Sequence, residues 1–196
     1  MTPCNITADE AQHRSAARNE PVKTGIGILG ASRCEVGRII NLLLADEFVL
    51  YSATRGFHWN VTGPHIAWLH DLFEEQFRQV AERIEQLVES SCAIGVWPSG
   101  GLGDIARTAR LDSDPGADLQ AEDMVAELCG LHGGLAKQLR QDIGVCAERC
   151  RDPGVIEVLS GLMSFHEATA DRLHAVLVKT IEGARAGGTA MVPAAS

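Results

Sequence analysis

No apolar run in this chain approaches the roughly 20 residues that a helix needs to cross a bilayer. The segment from Met1 to Glu20 is polar and carries no hydrophobic signal sequence, so a cytoplasmic location without a membrane partner is expected. Aromatic residues are scarce at 5%, while Leu, Ala, Glu and Arg dominate the middle of the chain, a mixture that favours helix over sheet. Positive charge is also short: 17 Lys and Arg face 26 Asp and Glu, for a formal net charge of −9. That balance argues against indiscriminate binding to DNA or anionic lipid and favours attraction of cations. Cysteine is present six times, at Cys4, Cys34, Cys92, Cys129, Cys146 and Cys150, but 196 residues can bury a core without covalent staples, so free thiols are expected. Cys146 and Cys150, four apart, would share a helix face.

Residues 1–30 lack hydrophobic periodicity and read as an N-terminal arm. Within it, Gly25 to Gly30 spells G-x-G-x-x-G, but Arg18 to Thr24 does not read as the buried strand that a dinucleotide site requires. From Ser32 the apolar residues Ile39, Ile40, Leu43, Leu44, Phe48 and Leu50 recur at helical spacing to about His58. Asn60 to Gly63 breaks that helix, and Pro64 is well placed to start a second, whose apolar stripe runs from Trp68 through Phe73, Val80 and Leu87 until Gly95 stops it. A glycine- and proline-rich stretch follows, with a short helix expected over Asp104 to Leu111. A third long helix fits Gln120 to Arg149, despite Gly130, Gly133, Gly134 and Gly144, and a fourth starts at Asp152-Pro153. Residues 184–196 read as a C-terminal tail. The expected fold is all-α: one domain over residues 31–183, a four-helix bundle with a short helix in the long connection between helices 2 and 3, ordered up-down-down-up.

Bundles that bind two metal ions in their own core use Glu-x-x-His pairs on facing helices. Here the pattern occurs only at Glu10 to His13, in the arm, with Asp171 to His174 as the nearest substitute. The second helix offers another arrangement. His70 and Glu74 are four apart, as are Glu85 and Glu89, so each pair projects from one face. Glu74 to Glu85 spans three turns with about 20° left over, which puts all four on one stripe, yet the midpoints of the pairs are about 22 Å apart. One chain cannot close such a site, whereas two can. Antiparallel packing of this helix on a two-fold copy near Gln79 brings His70 and Glu74 of one subunit opposite Glu85 and Glu89 of the other. His58 would complete the nitrogen side, and mixed imidazole and carboxylate donors suit iron of either valence.

The residues His58-Trp59-Asn60, Gly63-Pro64, Leu69-His70 and Leu72-Phe73-Glu74-Glu75-Gln76-Phe77 resemble the Dps mini-ferritin family, over a span from about Ala31 to Lys179. The resemblance implies a ferritin-like bundle that assembles from two-fold dimers into a hollow dodecamer. It implies that ferrous iron is oxidised, preferentially by hydrogen peroxide, at inter-subunit ferroxidase centres of two ions each, stored as ferric mineral, and so kept from causing oxidative stress. Carried onto this chain, His58, His70 and Glu74 are the ligands of one subunit, and Glu85 and Glu89 those of its neighbour. Glu74 and Glu85 stand where many relatives have Asp. Trp59 falls where a redox-active aromatic would sit, although plain packing is the commoner role of an isolated tryptophan; Glu148, Asp152 and Glu157 fall where acidic residues line iron-entry pores, although a solvated turn and helix cap reads equally well there. The family's second activity, DNA compaction, uses a lysine-rich arm. This arm holds only His13, Arg14, Arg18 and Lys23 against Asp9, Glu10 and Glu20, so DNA binding is expected to be weak or absent and nucleoid association is not favoured. The rival reading is a structural DNA-compacting protein with little ferroxidase activity. Tyr51, Trp68 and Trp97 are expected in packing roles, and His65, His132, His166 and His174 as core or surface histidines.

Overall fold

The computed structural model describes residues 30–63, 66–113 and 119–187. Those residues form five α-helices and a π-helical turn, with no strand among them. We label the helices α1 (Gly30–Asn60), α2 (Ile66–Ala93), α3 (Leu102–Thr108), α4 (Ala121–Val145) and α5 (Pro153–Gly187). The arm, including Gly25 to Leu29 of the glycine pattern, Pro64, His65 and the end of the tail lie outside the described residues. No helix among the described residues is long and apolar enough to cross a membrane.

The core follows the stripes. Ile39, Leu43, Leu50 and Phe57 of α1 meet Phe73, Val80 and Leu87 of α2, Leu128, Leu135 and Leu139 of α4, and Leu159, Leu162 and Leu173 of α5. Each such side chain removed from water contributes about 1.5–3 kcal/mol before entropy is set against it. The pairs α1 with α2 and α4 with α5 pack most extensively.

Helix α1 is buried beyond its core-facing stripe, because the connection after α2 lies along its outer side. Gly95, at φ +73°, turns the chain out of α2, and its N–H returns to the Cys92 carbonyl. Ser91 then holds Val96 twice: its hydroxyl donates to the Val96 carbonyl, and its own carbonyl accepts the Val96 N–H. Val96 packs so closely on α1 that a Cβ at Gly37 would stand 2.5 Å from its Cγ1. One turn on, Asn41 takes the Ser99 N–H at 2.9 Å. Farther along, buried Asp46 receives the N–H of Leu111 and the Arg110 guanidinium, which also reaches Asp142 of α4. The crossover thus descends α1 from Gly37 to Asp46, returning the chain to the end from which α2 started, so that α4 runs parallel to α2.

Three boundaries differ from the sequence reading. The short helix is Leu102–Thr108, about one turn earlier than expected. The third long helix leaves α geometry at Cys146, and Cys146–Cys150 is a π-turn closed by Arg151 in the left-handed region at φ 52°. The fourth runs on to Gly187, past the expected start of the tail. Its start is as read: Pro153 is the first helical residue, and the Asp152 carboxylate accepts the Val155 N–H at 3.1 Å.

Candidate metal centre

The turn between α1 and α2 is built to bring two helix ends together. Asn60 donates its side-chain amide to the Gly56 carbonyl and the Val61 N–H goes to Phe57, so α1 is closed off within one turn of His58. Gly63, at φ +110°, makes the reversal that side-chain-bearing residues rarely adopt. His70 and Glu74 then rise on successive turns of α2 beside the end of α1.

The outcome is a cluster of His58, His70 and Glu74 whose ligand atoms all lie within 4.8 Å of one another. The two imidazoles face each other with centroids 3.7 Å apart. Phe77 stands edge-on to the His58 ring at 5.4 Å and to Tyr51 at 6.1 Å. Both ring nitrogens of His58 are cut off from solvent and have no hydrogen-bond partner among the described residues. A buried polar atom left without a partner is normally worth about 1–3 kcal/mol of destabilisation, so two on one ring mark a place where a ligand belongs. Burial, reinforced by His70 and opposed by Glu74, holds the His58 imidazole below its usual pKa, in the neutral form that donates a lone pair to a metal.

Two cations flank this cluster, and neither was singled out from the sequence. Arg78 pairs with Glu74 one turn along α2. Arg55, one turn before His58, donates to the Tyr51 hydroxyl and lies over the rings of Phe77, Trp59 and Tyr51 at 4.7, 5.3 and 5.7 Å. Their signal was helical spacing: Arg78 follows Glu74 by four and Arg55 precedes His58 by three. Trp59 itself points outward, 67% exposed, with its ring against Arg55.

Glu85 and Glu89 do not join the cluster within the chain. They lie farther along α2, both exposed, as their spacing requires. Glu148 and Glu157 are exposed at the α4–α5 junction, while Asp152 is engaged as the cap of α5. Trp68 and Trp97, expected in packing roles, are 50% and 63% exposed on the subunit, whereas half-buried Tyr51 does pack, against Phe77. His132 and His166 are core residues and His174 is a surface one.

Comparison with known proteins converges on one family. Residues 38–182 match the family model of the ferritin-like domain. The chain is 32% identical to an uncharacterised low-temperature-induced protein of Nostoc over 76% of its own length and 83% of that protein's. It is 30% identical to the DNA protection during starvation protein of Brevibacillus brevis over 72% of this chain and 84% of that one. Among solved structures, Dps from Thermosynechococcus elongatus superposes with a TM-score of 0.71 at 25% identity, over 75% of this chain and 92% of that one. With the domain family spanning most of the bundle and a Dps relative matched over most of its length, the chain belongs to the Dps family of ferritin-like proteins, the mini-ferritins.

Proposed function

We propose that this protein is a ferroxidase and iron store that oxidises ferrous iron with hydrogen peroxide at sites shared between two subunits. The observation that carries the reading is the His58, His70 and Glu74 cluster, whose two His58 nitrogens have no hydrogen-bond partner among the described residues. His58, His70 and Glu74 supply half of each site, and Glu85 and Glu89 of a two-fold copy supply the other half. Iron is the substrate here, two ferrous ions per site. Each gives one electron to peroxide, so that two ferrous ions, one peroxide and two protons yield two ferric ions and two waters. Taking the electrons as a pair leaves no hydroxyl radical, which is how such a site protects against oxidative stress.

The neutral His58 ring can bind iron without first losing a proton. Glu74 must exchange its Arg78 partner for the metal. In this reading Trp59, exposed beside Arg55, takes up stray oxidising equivalents. In a hollow assembly, which we take to be a cytoplasmic dodecamer, the acidic residues Glu148 and Glu157 at the α4–α5 junction would draw ferrous iron inward, with Asp152 contributing charge while capping α5. DNA plays little part in this reading, since the net charge of −9 opposes it.

The test is to load purified protein with ferrous iron without oxygen, add hydrogen peroxide, and follow ferric absorbance in the parent, His70→Ala and Glu89→Ala. Fast oxidation in the parent, lost in both variants while the assembly persists, is expected. Equal rates in all three would overturn the site, and loss in His70→Ala alone would overturn the shared geometry.

A further inference from the structure

The middle of the bundle contains a chain of titratable groups that the iron site does not use. His166 of α5 lies between Glu47 of α1 and His132 of α4: its Nε2 is 2.7 Å from the Glu47 Oε1, and its Nδ1 is 2.9 Å from the Nδ1 of His132. All three residues are fully buried. His166 gives one nitrogen to each neighbour, so the three do not converge on a point as metal ligands would. They form a wire instead, tying three of the four long helices.

The protonation states follow from the chemistry of the ends. Where Glu47 is ionised its carboxylate can only accept, and His166 Nε2 donates to it. With neutral rings, His166 Nδ1 is then a bare acceptor and His132 Nδ1–H donates to it. One further proton is accommodated, because Glu47 compensates its charge and the bond between the two Nδ1 atoms simply reverses. A second is not. With both rings charged, each Nδ1 carries a hydrogen, two donors face each other at 2.9 Å, and a buried carboxylate must offset two cations. Among the described residues the far nitrogen of His132 has no partner and Glu47 Oε2 has none either, so none of them takes up the extra charge by a hydrogen bond there.

We propose that Glu47, His166 and His132 act as a proton-operated latch, holding α1, α4 and α5 together near neutral pH and parting in acid. Charged groups on two helices stand near it. Arg172 of α5 acts on His132, and from α2 Arg83 lies over the Phe165 ring, which stands edge-on to both histidines. Burial, aided by His166 and Arg172, sets His132 well below the ordinary imidazole value. The sign follows: an unfolded chain takes up a proton on His132 below about pH 6.5 that the folded chain refuses, so stability falls as pH falls through that value.

Two measurements on the full-length assembly test this. The first is the denaturant unfolding equilibrium between pH 7.5 and 4.5 for the parent and His132→Leu. The parent should lose about tenfold more in folding constant per pH unit below 6.5 than the variant, the slope of one proton. The same slope in both, with His132→Leu merely less stable throughout, would overturn the latch. The second is hydrogen exchange at the imidazole C2 position, read histidine by histidine in mass spectra of the parent, which decides the matter if the variant fails to fold. His132 should remain unprotonated well below 6.5, and titration of His132 at an ordinary value would equally overturn it.

Discussion

Asp46 and Arg110, 64 residues apart, are joined through both backbone and side chain: the Arg110 guanidinium meets one Asp46 oxygen at 2.8 Å, and the other oxygen receives the Arg110 and Leu111 N–H groups. A carboxylate with no solvent exposure therefore seats the far end of the crossover on α1. Asp46→Ala leaves the Arg110 and Leu111 N–H groups without their acceptor while the guanidinium keeps Asp142, and should destabilise the subunit by about 1–3 kcal/mol. Chemical denaturation checks it, and a loss under about 1 kcal/mol would show that the crossover is seated by other contacts.

The bundle itself was legible because period-3.6 stripes and proline and glycine punctuation are local. His58, His70 and Glu74 were legible for the same reason: a single turn separates them, and helical spacing fixes their faces. The seat of the crossover and the Glu47–His166–His132 wire were not, since their members come from elements whose relative register no local pattern records. The π-turn at Cys146 was equally invisible, because its apolar positions continue the α pattern. Trp68 and Trp97 stand exposed on the single subunit, because where a stripe's edge residue or a loop tryptophan faces depends on how the helices are rotated, which no local pattern records.

Arg78 is a competitor for the proposed metal. It is 70% exposed in its pair with Glu74, so the pair is worth only about 0.2–1 kcal/mol. Arg78→Ala should tighten binding of zinc, used as a redox-silent probe, by up to about fivefold at low ionic strength, and the gain should fade in salt. Competition titration against a chromophoric chelator measures it. Weaker binding in the variant would mean that the guanidinium positions Glu74 instead of opposing the ion.

Gly37 is where the crossover meets α1 most closely. A methyl group there must displace Val96, so Gly37→Ala should cost about 1–3 kcal/mol from overpacking, even though alanine favours helix by about 1 kcal/mol. Adding Val96→Ala makes room and should recover most of the loss. At Gly130 and Gly144 of α4 an added methyl group would meet nothing within 4 Å among the described residues, and alanine at either should stabilise the subunit by about 1 kcal/mol. Thermal unfolding of the set separates packing from propensity.

Cys146 should be chemically silent. Burial, with Cys150 and Asp142 adding to it, pushes its thiol up to about 12, leaving about one part in ten thousand as thiolate at pH 8. Iodoacetamide should leave it unmodified in the folded protein and label it after denaturation, as peptide mass spectra would show. Labelling of Cys146 in the folded state at the rate of a free thiol would mean that the π-turn opens readily.

The two ends of the α2 stripe, with His70 and Glu74 at one and Glu85 and Glu89 at the other about 22 Å away, carry a kinetic consequence. A lone chain holding only one half of the proposed site cannot turn over, so activity in dilute solution should grow with the square of chain concentration until the subunits are fully paired. Synthesis could then run ahead of demand without harm, because the chemistry would begin only when enough copies have met.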